Sequence, residues 1–240
     1  MSRDKDEGDY YESLKYFDFF NRFRNASDIV KQHQSPFLKY FEGCRRVVSL
    51  GCGRGEFIEA LGERNIGAFG IDVDEEMVDY CKKRGLEVYK ADAAEYLRQM
   101  DDGSIDGIFT DDFAEHLDTS YLIKLLRLCA RKLEKGRYMV NVTVNPCSWA
   151  AYSGIYLLDP THKRPIHPES MRFYMLSAGF GDVDVELITF RDNHSRLKKV
   201  EVRPDMDADA RRIAEAFNHN VDMLNEVVFG PENYAAIGKK

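Results

Sequence analysis

The feature that most constrains this chain lies at residues 46–74. A short apolar run (Val47, Val48, Leu50) stops at glycines on alternate positions, Gly51, Gly53 and Gly55. An amphipathic segment follows (Phe57, Ile58, Ala60, Leu61), then a second apolar run, Ala68–Ile71, that ends on the acid Asp72. The order is strand, glycine turn, helix, strand, carboxylate. It is the opening of an open α/β sheet whose first crevice accepts a nucleoside, because glycine permits close backbone approach and strand ends line the crevice.

The rest of the chain continues the alternation. Strands are expected at 86–89, 105–109, 138–144, 182–190 and 234–237, giving seven with the two above. Helices are expected at 56–63, after an Asp74 cap to a Gly85 stop, and at 93–100, 120–134, 168–178 and 208–228. Alternation of this kind implies a mostly parallel sheet with helices on both faces. Before it, residues 1–9 are charged and read as disordered, and 10–41 are dense in aromatics. In that region Ser27 is a plausible helix cap and Pro36 opens a last short helix. This segment, taken as residues 1–43 ahead of a main domain at 44–240, reads either as a helical flap on the sheet edge or as a lid over the crevice carrying Arg22, Arg24 and Gln34.

The crevice itself discriminates between cofactors. A dinucleotide site wants a third glycine to bring a helix close under a pyrophosphate. Here Glu56 stands in that place, and an acid there would repel a diphosphate. A cofactor without phosphate and with a positive centre fits better, and S-adenosylmethionine is such a molecule. The net charge of −7 disfavours unspecific attraction to nucleic acid or an anionic membrane. No apolar run approaches the roughly 20 residues that cross a bilayer. Five scattered cysteines without a C-x-x-C pair fit reduced thiols in a cytoplasmic protein.

Four segments, VVSLGCGRGEF at 47–57, GIDVD at 70–74, ADA at 91–93 and IDGIFTDDFAEHL at 105–117, resemble the class I S-adenosylmethionine-dependent methyltransferases. The resemblance implies a Rossmann-like, doubly wound, mostly parallel seven-stranded sheet with an N-terminal helical lid. It implies that Gly51, Cys52 and Gly53 lie along the methionine part of the cofactor, and that Asp72, with Val73 beside it, takes the ribose hydroxyls. Asp92 and Ala93 would take the adenine, and Asp111 would sit near the cofactor's amino group. The family usually carries an acid where Ser49 stands, which implies weaker cofactor binding here.

Methyl transfer needs an acceptor held in line and, for a neutral hydroxyl, a base for its proton. Two stretches at the predicted strand ends carry histidines: Glu115-His116, and the proline-stiffened 159–168. His116 also fits a residue satisfied by local backbone at a helix start. His162 and Arg164 are the better candidates for touching an acceptor, with His116 or His162 as base or orienting group and Arg164 holding an anionic part. A metal site from His116, Asp159, His162 and His167 lacks ligand spacing on any one helix, so no metal is expected. The segments FDFFNRFRNA (17–26), AEHL (114–117), VNPCSW (144–149), DPTHKRPIHPESMRF (159–173) and LNEVVFGPENYAAIGKK (224–240) narrow the likeness to a subgroup associated with surface-polysaccharide and O-antigen synthesis. That resemblance implies a glycan or sugar-phosphate acceptor, a lid that folds over the cofactor, and Arg24 and Gln34 among its contacts. Methylation of a small molecule or lipid carrier, and a cofactor-binding scaffold without catalysis, are the alternatives. The fourth strand ends in Thr-Asp-Asp-Phe, unlike the Asn/Asp-Pro-Pro-aromatic stretch of DNA amino-methyltransferases.

Overall fold

A computed structural model describes residues 15–189 and 196–240; the tail expected to be disordered lies outside them. The sheet has seven strands in the order β3-β2-β1-β4-β5-β7-β6. They are β1 Val47–Leu50, β2 Ala68–Asp72, β3 Val88–Lys90, β4 Gly107–Asp111, β5 Tyr138–Val144, β6 Asp182–Ile188 and β7 Asn233–Lys239. β1 to β5 pair in parallel, whereas β7 runs antiparallel between β5 and β6. The order reverses at β1, so β1 and β4 leave a crevice beyond their C-terminal ends, where ligands bind in such sheets.

Side-chain alternation explains why the sheet is covered on both faces. Val48, Leu50, Ile108 and Met139 pack on one side with α5 (Ala93–Gln99), α6 (Thr119–Lys132) and α7 (Pro168–Ala178). Val47, Phe109, Val140 and Val142 face the other side, with α3 (Glu56–Gly62) and the 3-10 turn Ser35–Phe41. Phe37, Leu38 and Phe41 of that turn are buried, which anchors the end of the N-terminal segment in the core. Ahead of it lie α1 (Tyr16–Phe23) and α2 (Ser27–Gln34). Asp74 caps α4 (Glu75–Lys83) by accepting from the Met77 N–H, and Gly179 ends α7 in the left-handed region.

Three local expectations are corrected. Ser27 is the first residue of α2 rather than its cap, and its hydroxyl is spent on Glu56. The loop after β5 contains a helical stretch, Trp149–Ala151, continuing as a π-turn over Tyr152–Tyr156. The third strand starts two residues late, at Val88: the Leu86 N–H is spent on the Cys81 carbonyl in closing α4, although the Glu87 carbonyl already accepts from Gly70 of β2. The final helix, α8 (Ala208–Val228), spans the expected residues.

Candidate active site

The glycine turn after β1 is shaped by what stands over it. Gly51 has φ +63°, and a Cβ there would come within 2.3 Å of the Phe113 ring. The Gly53 N–H donates to Asp72 Oδ2 at 2.9 Å, and the Asp74 N–H donates to Oδ1 at 3.0 Å. These bonds fix the carboxylate at the end of β2. Burial nevertheless pushes its pKa up to about 6, since desolvation penalises the charged form more than two amide dipoles offset it.

Glu56, at the start of α3, is buried and accepts from Arg54 Nε at 2.7 Å and Ser27 Oγ at 3.0 Å. Arg54 extends further, to the Asn25 carbonyl at 2.7 Å and over the Phe20 ring at 5.3 Å. The turn therefore grips α1 and the segment after it. Sequence reading missed this, although an Arg two residues before a buried acid is the available signal.

The same segment reaches the end of β4. Arg24 forms ion pairs with Asp111, at 2.9 Å, and with Asp112. Gln34 Nε2 donates to Asp111 at 2.8 Å. Asp112 has φ +48°, a conformation that costs a non-glycine residue energy and that often marks functional positions. Asp92 uses Oδ1 to cap α5 through the Glu95 N–H at 2.8 Å, and its Oδ2 accepts from the Tyr121 hydroxyl. Gly51, Cys52, Gly53, Asp72, Val73, Asp92, Ala93, Asp111, Arg24 and Gln34 all line one cavity of about 170 Å³. Every cofactor residue expected from the sequence is thus brought to one place.

The acceptor candidates divide. His116, on the 3-10 turn Ala114–His116, lines the same cavity. Its Nδ1 is 2.8 Å from Thr161 Oγ1, and that hydroxyl donates to Asp159 Oδ1 at 2.6 Å. A hydroxyl whose proton is committed to a carboxylate can only accept from the ring, so the network assigns the Nδ1–H tautomer and leaves Nε2 with its lone pair. Tyr16 of α1 closes the chain by donating to Asp159 Oδ2 at 2.9 Å. Burial, reinforced by the neighbouring His162 ring, pushes the His116 pKa down to about 3. His162 does not line the cavity. It stacks on Tyr156, sits 4.6 Å from His116 between ring centroids, and bonds the Tyr156 carbonyl through Nδ1 at 2.7 Å.

Arg164 is not brought to the site: its guanidinium turns to the Thr119 hydroxyl at the start of α6 and is exposed. The neighbouring Lys163 lines the cavity instead and pairs with Asp118 at 3.2 Å. His167 caps α7 by accepting from the Glu169 N–H, which removes it from any metal set. The other three of that set do converge: ligand atoms of His116, Asp159 and His162 lie within 4.8 Å of one another. Tyr16, Phe113, Tyr121, Thr161 and Lys163 are members of the site that only tertiary contacts reveal.

The likeness to known proteins follows the same geometry. A methyltransferase-domain family model matches residues 48–140, from β1 to β5. A SAM-dependent methyltransferase structure from Archaeoglobus fulgidus is 38% identical with a TM-score of 0.86, covering 94% of this chain and 99% of that one. The chain belongs to the SAM-dependent methyltransferases. Among curated proteins, the ubiquinone biosynthesis O-methyltransferase of Burkholderia thailandensis is 26% identical over 178 residues, 68% of this chain and 75% of that protein. The phosphoethanolamine N-methyltransferase 2 of Haemonchus contortus, solved with S-adenosyl-L-methionine, shares the fold at 17% identity and TM-score 0.59, over 93% of this chain and 59% of that one.

The methyltransferase uses S-adenosylmethionine and leaves S-adenosylhomocysteine. Its cavity suits that cofactor on the chemistry present: the side-chain-free turn at Gly51 and Gly53 lines it, and its wall carries the acceptor carboxylates of Asp72 and Asp92 and the Arg24 guanidinium paired with Asp111 and Asp112. Among the described residues no helix is long and apolar enough to cross a membrane.

Proposed function

We propose that this methyltransferase transfers its methyl group to a hydroxyl oxygen, with His116 as the base that receives the hydroxyl proton. The observation that carries the reading is the His116–Thr161–Asp159 relay, which engages Nδ1 and keeps the lone pair on Nε2 in a residue that lines the cofactor cavity. S-adenosylmethionine supplies an electrophilic methyl on a sulfonium. In this reading Asp72 takes the ribose hydroxyls, Asp92 and Ala93 the adenine side, and Arg24, Gln34 and Asp111 the methionine end. The methyl carbon gains a bond to the acceptor oxygen as it loses its bond to sulfur, and the hydroxyl proton goes to Nε2. An imidazole held at about 3 is a weak base, but it suffices when proton transfer lags bond formation. The acceptor oxygen becomes positive as its bond to carbon forms, and its proton is then far more acidic than an imidazolium. Asp159, relayed through Thr161, stabilises the charge that His116 acquires.

For the acceptor, the ordered segments shared with the surface-polysaccharide subgroup favour a sugar hydroxyl of a glycan, methylated in the cytoplasm. With Arg164 turned away, nothing remains of the anion clamp expected for a sugar phosphate except Lys163, so a neutral sugar hydroxyl is preferred. A second reading rests on the curated relatives named for ubiquinone biosynthesis: a phenolic hydroxyl on a small molecule or lipid carrier. S-adenosylhomocysteine release over a panel of oligosaccharides, nucleotide sugars, sugar phosphates and phenols decides. Turnover on neutral sugars supports the first reading and turnover on phenols alone the second. Methylation confined to amines or carboxylates would overturn both.

A further inference from the structure

The helix α8 carries more apolar surface than the other described residues cover. One stripe, Ala214, Asn218, Val221 and Asn225, is turned inward. Ala214 and Val221 are buried, and the two asparagines clamp an extended strap that runs antiparallel to the helix. Asn225 exchanges two bonds with Leu197, at 2.8 and 2.9 Å, and Asn218 exchanges two with Val200, both at 2.9 Å. The geometry matches because seven helical residues and three extended ones each advance about 10 Å. Each amide thereby serves the strap as a sheet edge would.

A second stripe, Ala210, Ile213, Phe217, Asn220, Leu224 and Val227, is rotated about 100° from the first and is not covered. Ile213 is 68% exposed, Phe217 46%, Leu224 50% and Val227 60%. Its spacing of three, four, three, four and three residues is that of the a and d positions of a helix–helix seam. The free flank is Asp209, Ala216 and Met223, charged only at the first turn of the helix. Arg211, Arg212, Glu215, His219, Asp222 and Glu226 all fall outside the seam and its free flank. The strap adds exposed Leu197, Val200 and Val202 along the other side.

We propose that this face is an isologous dimer interface, in which α8 of one copy packs antiparallel against α8 of a second copy. The seam is self-complementary about a twofold axis. Ala210 falls opposite Val227 of the second copy, Ile213 opposite Leu224, and Phe217 opposite Asn220, so the six positions map onto themselves. A single asparagine in an otherwise apolar seam is the usual device for fixing register at some cost in stability. The exposed apolar surface of stripe, flank and strap is on the order of 700 Å² per copy, close to the roughly 800 Å² that each partner contributes to a standard interface. A lipid surface is a poorer occupant: the strap carries Arg196, Lys198, Lys199 and Arg203, but Lys199 pairs with Asp222 and Arg203 with Asp205. On α8 the acids Asp209, Glu215, Asp222 and Glu226 stand against Arg211 and Arg212.

Sedimentation velocity of the full chain from about 1 to 100 µM tests this. A dimer is expected, with Phe217→Glu or Leu224→Lys shifting it to monomer by at least a hundredfold in Kd. Affinity for S-adenosylmethionine should stay within about twofold, showing that the fold survives. Asn220→Leu is expected to tighten association or change its stoichiometry, whereas Glu215→Ala leaves it unchanged. Under mild oxidation, Ile213→Cys/Leu224→Cys should crosslink between copies and Ala210→Cys alone should not. A monomer throughout the range, a dimer indifferent to both charged substitutions, crosslinking through Ala210→Cys alone, or a monomer that pellets with anionic vesicles would each overturn the proposal.

Discussion

Asp72 makes cofactor affinity depend on pH in a direction that the structure sets. Its carboxyl is half-buried at the cavity wall, which pushes its pKa up to about 6, and it is held by the Gly53 and Asp74 amides at 2.9 and 3.0 Å. The ribose hydroxyls need its ionised form as acceptor. Above pH 6 the free protein already holds that form. Below it the site must release a proton to bind, so the apparent Kd rises by up to tenfold per pH unit. Between pH 7.5 and 5 the expected loss is about tenfold, or about 1.4 kcal/mol. For folding the same shift has the opposite sense. The carboxyl is harder to ionise folded than unfolded, so this group destabilises the free protein above pH 6, and the penalty fades as pH falls toward the ordinary carboxylate range. Titration calorimetry with S-adenosylmethionine at both pH values, in two buffers of different ionisation enthalpy, should find the weaker binding at pH 5 accompanied by release of close to one proton. Asp72→Asn should bind more weakly at neutral pH and lose the dependence. A wild-type Kd that is flat over this range refutes the assignment of Asp72 as an ionised ribose acceptor with a raised pKa.

Other consequences are equally direct. Gly51→Ala forces a side chain into left-handed backbone, about 1–2 kcal/mol on its own, and into the Phe113 ring 2.3 Å away. Cofactor binding should be lost in thermal-shift titrations, and adding Phe113→Ala should recover the steric part of the lost stability but not the backbone part. His116 is held neutral near pKa 3 against an ordinary 6.5, so the unfolded chain takes up a proton that the folded one refuses. Its contribution is intact above pH 6.5 and is lost as pH falls toward 3, and urea melts should show His116→Asn losing less stability than wild type between pH 7 and 5. Arg24→Ala leaves Asp111 and Asp112 without their guanidinium, and S-adenosylmethionine should bind more weakly by about 1.5–3 kcal/mol. An unchanged Kd would remove Arg24 from the cofactor site.

What the sequence made legible was local. β1, the glycine turn and Asp72 sit within 30 residues, and their positions follow from strand alternation and turn geometry. Asp92 and Asp111 are placed by the motifs that carry the family resemblance; Asp111 ends β4, whereas Asp92 lies two residues beyond β3 and caps α5. Lys163 and Arg164 show the limit: they are neighbours, and only the position of Thr119 on a distant helix sends Arg164 away and leaves Lys163 at the cavity. The same holds for Thr161, which links His116 to Asp159 across 45 residues of chain. Ser27 had the right chemistry for a cap, but a buried acid 29 residues away competes for its hydroxyl. Residue type identifies a donor or a base, and tertiary packing decides which partner it meets.

In the mechanism proposed above, His116 takes the acceptor proton while other residues hold the methyl donor. The direct measurement is kcat for S-adenosylhomocysteine formation on the best hydroxyl acceptor, for wild type and His116→Asn, alongside the S-adenosylmethionine Kd of each. In His116→Asn, kcat is expected to fall by about a hundredfold or more while Kd stays within about threefold. A variant that keeps wild-type kcat, or that loses cofactor binding and turnover together, would contradict it.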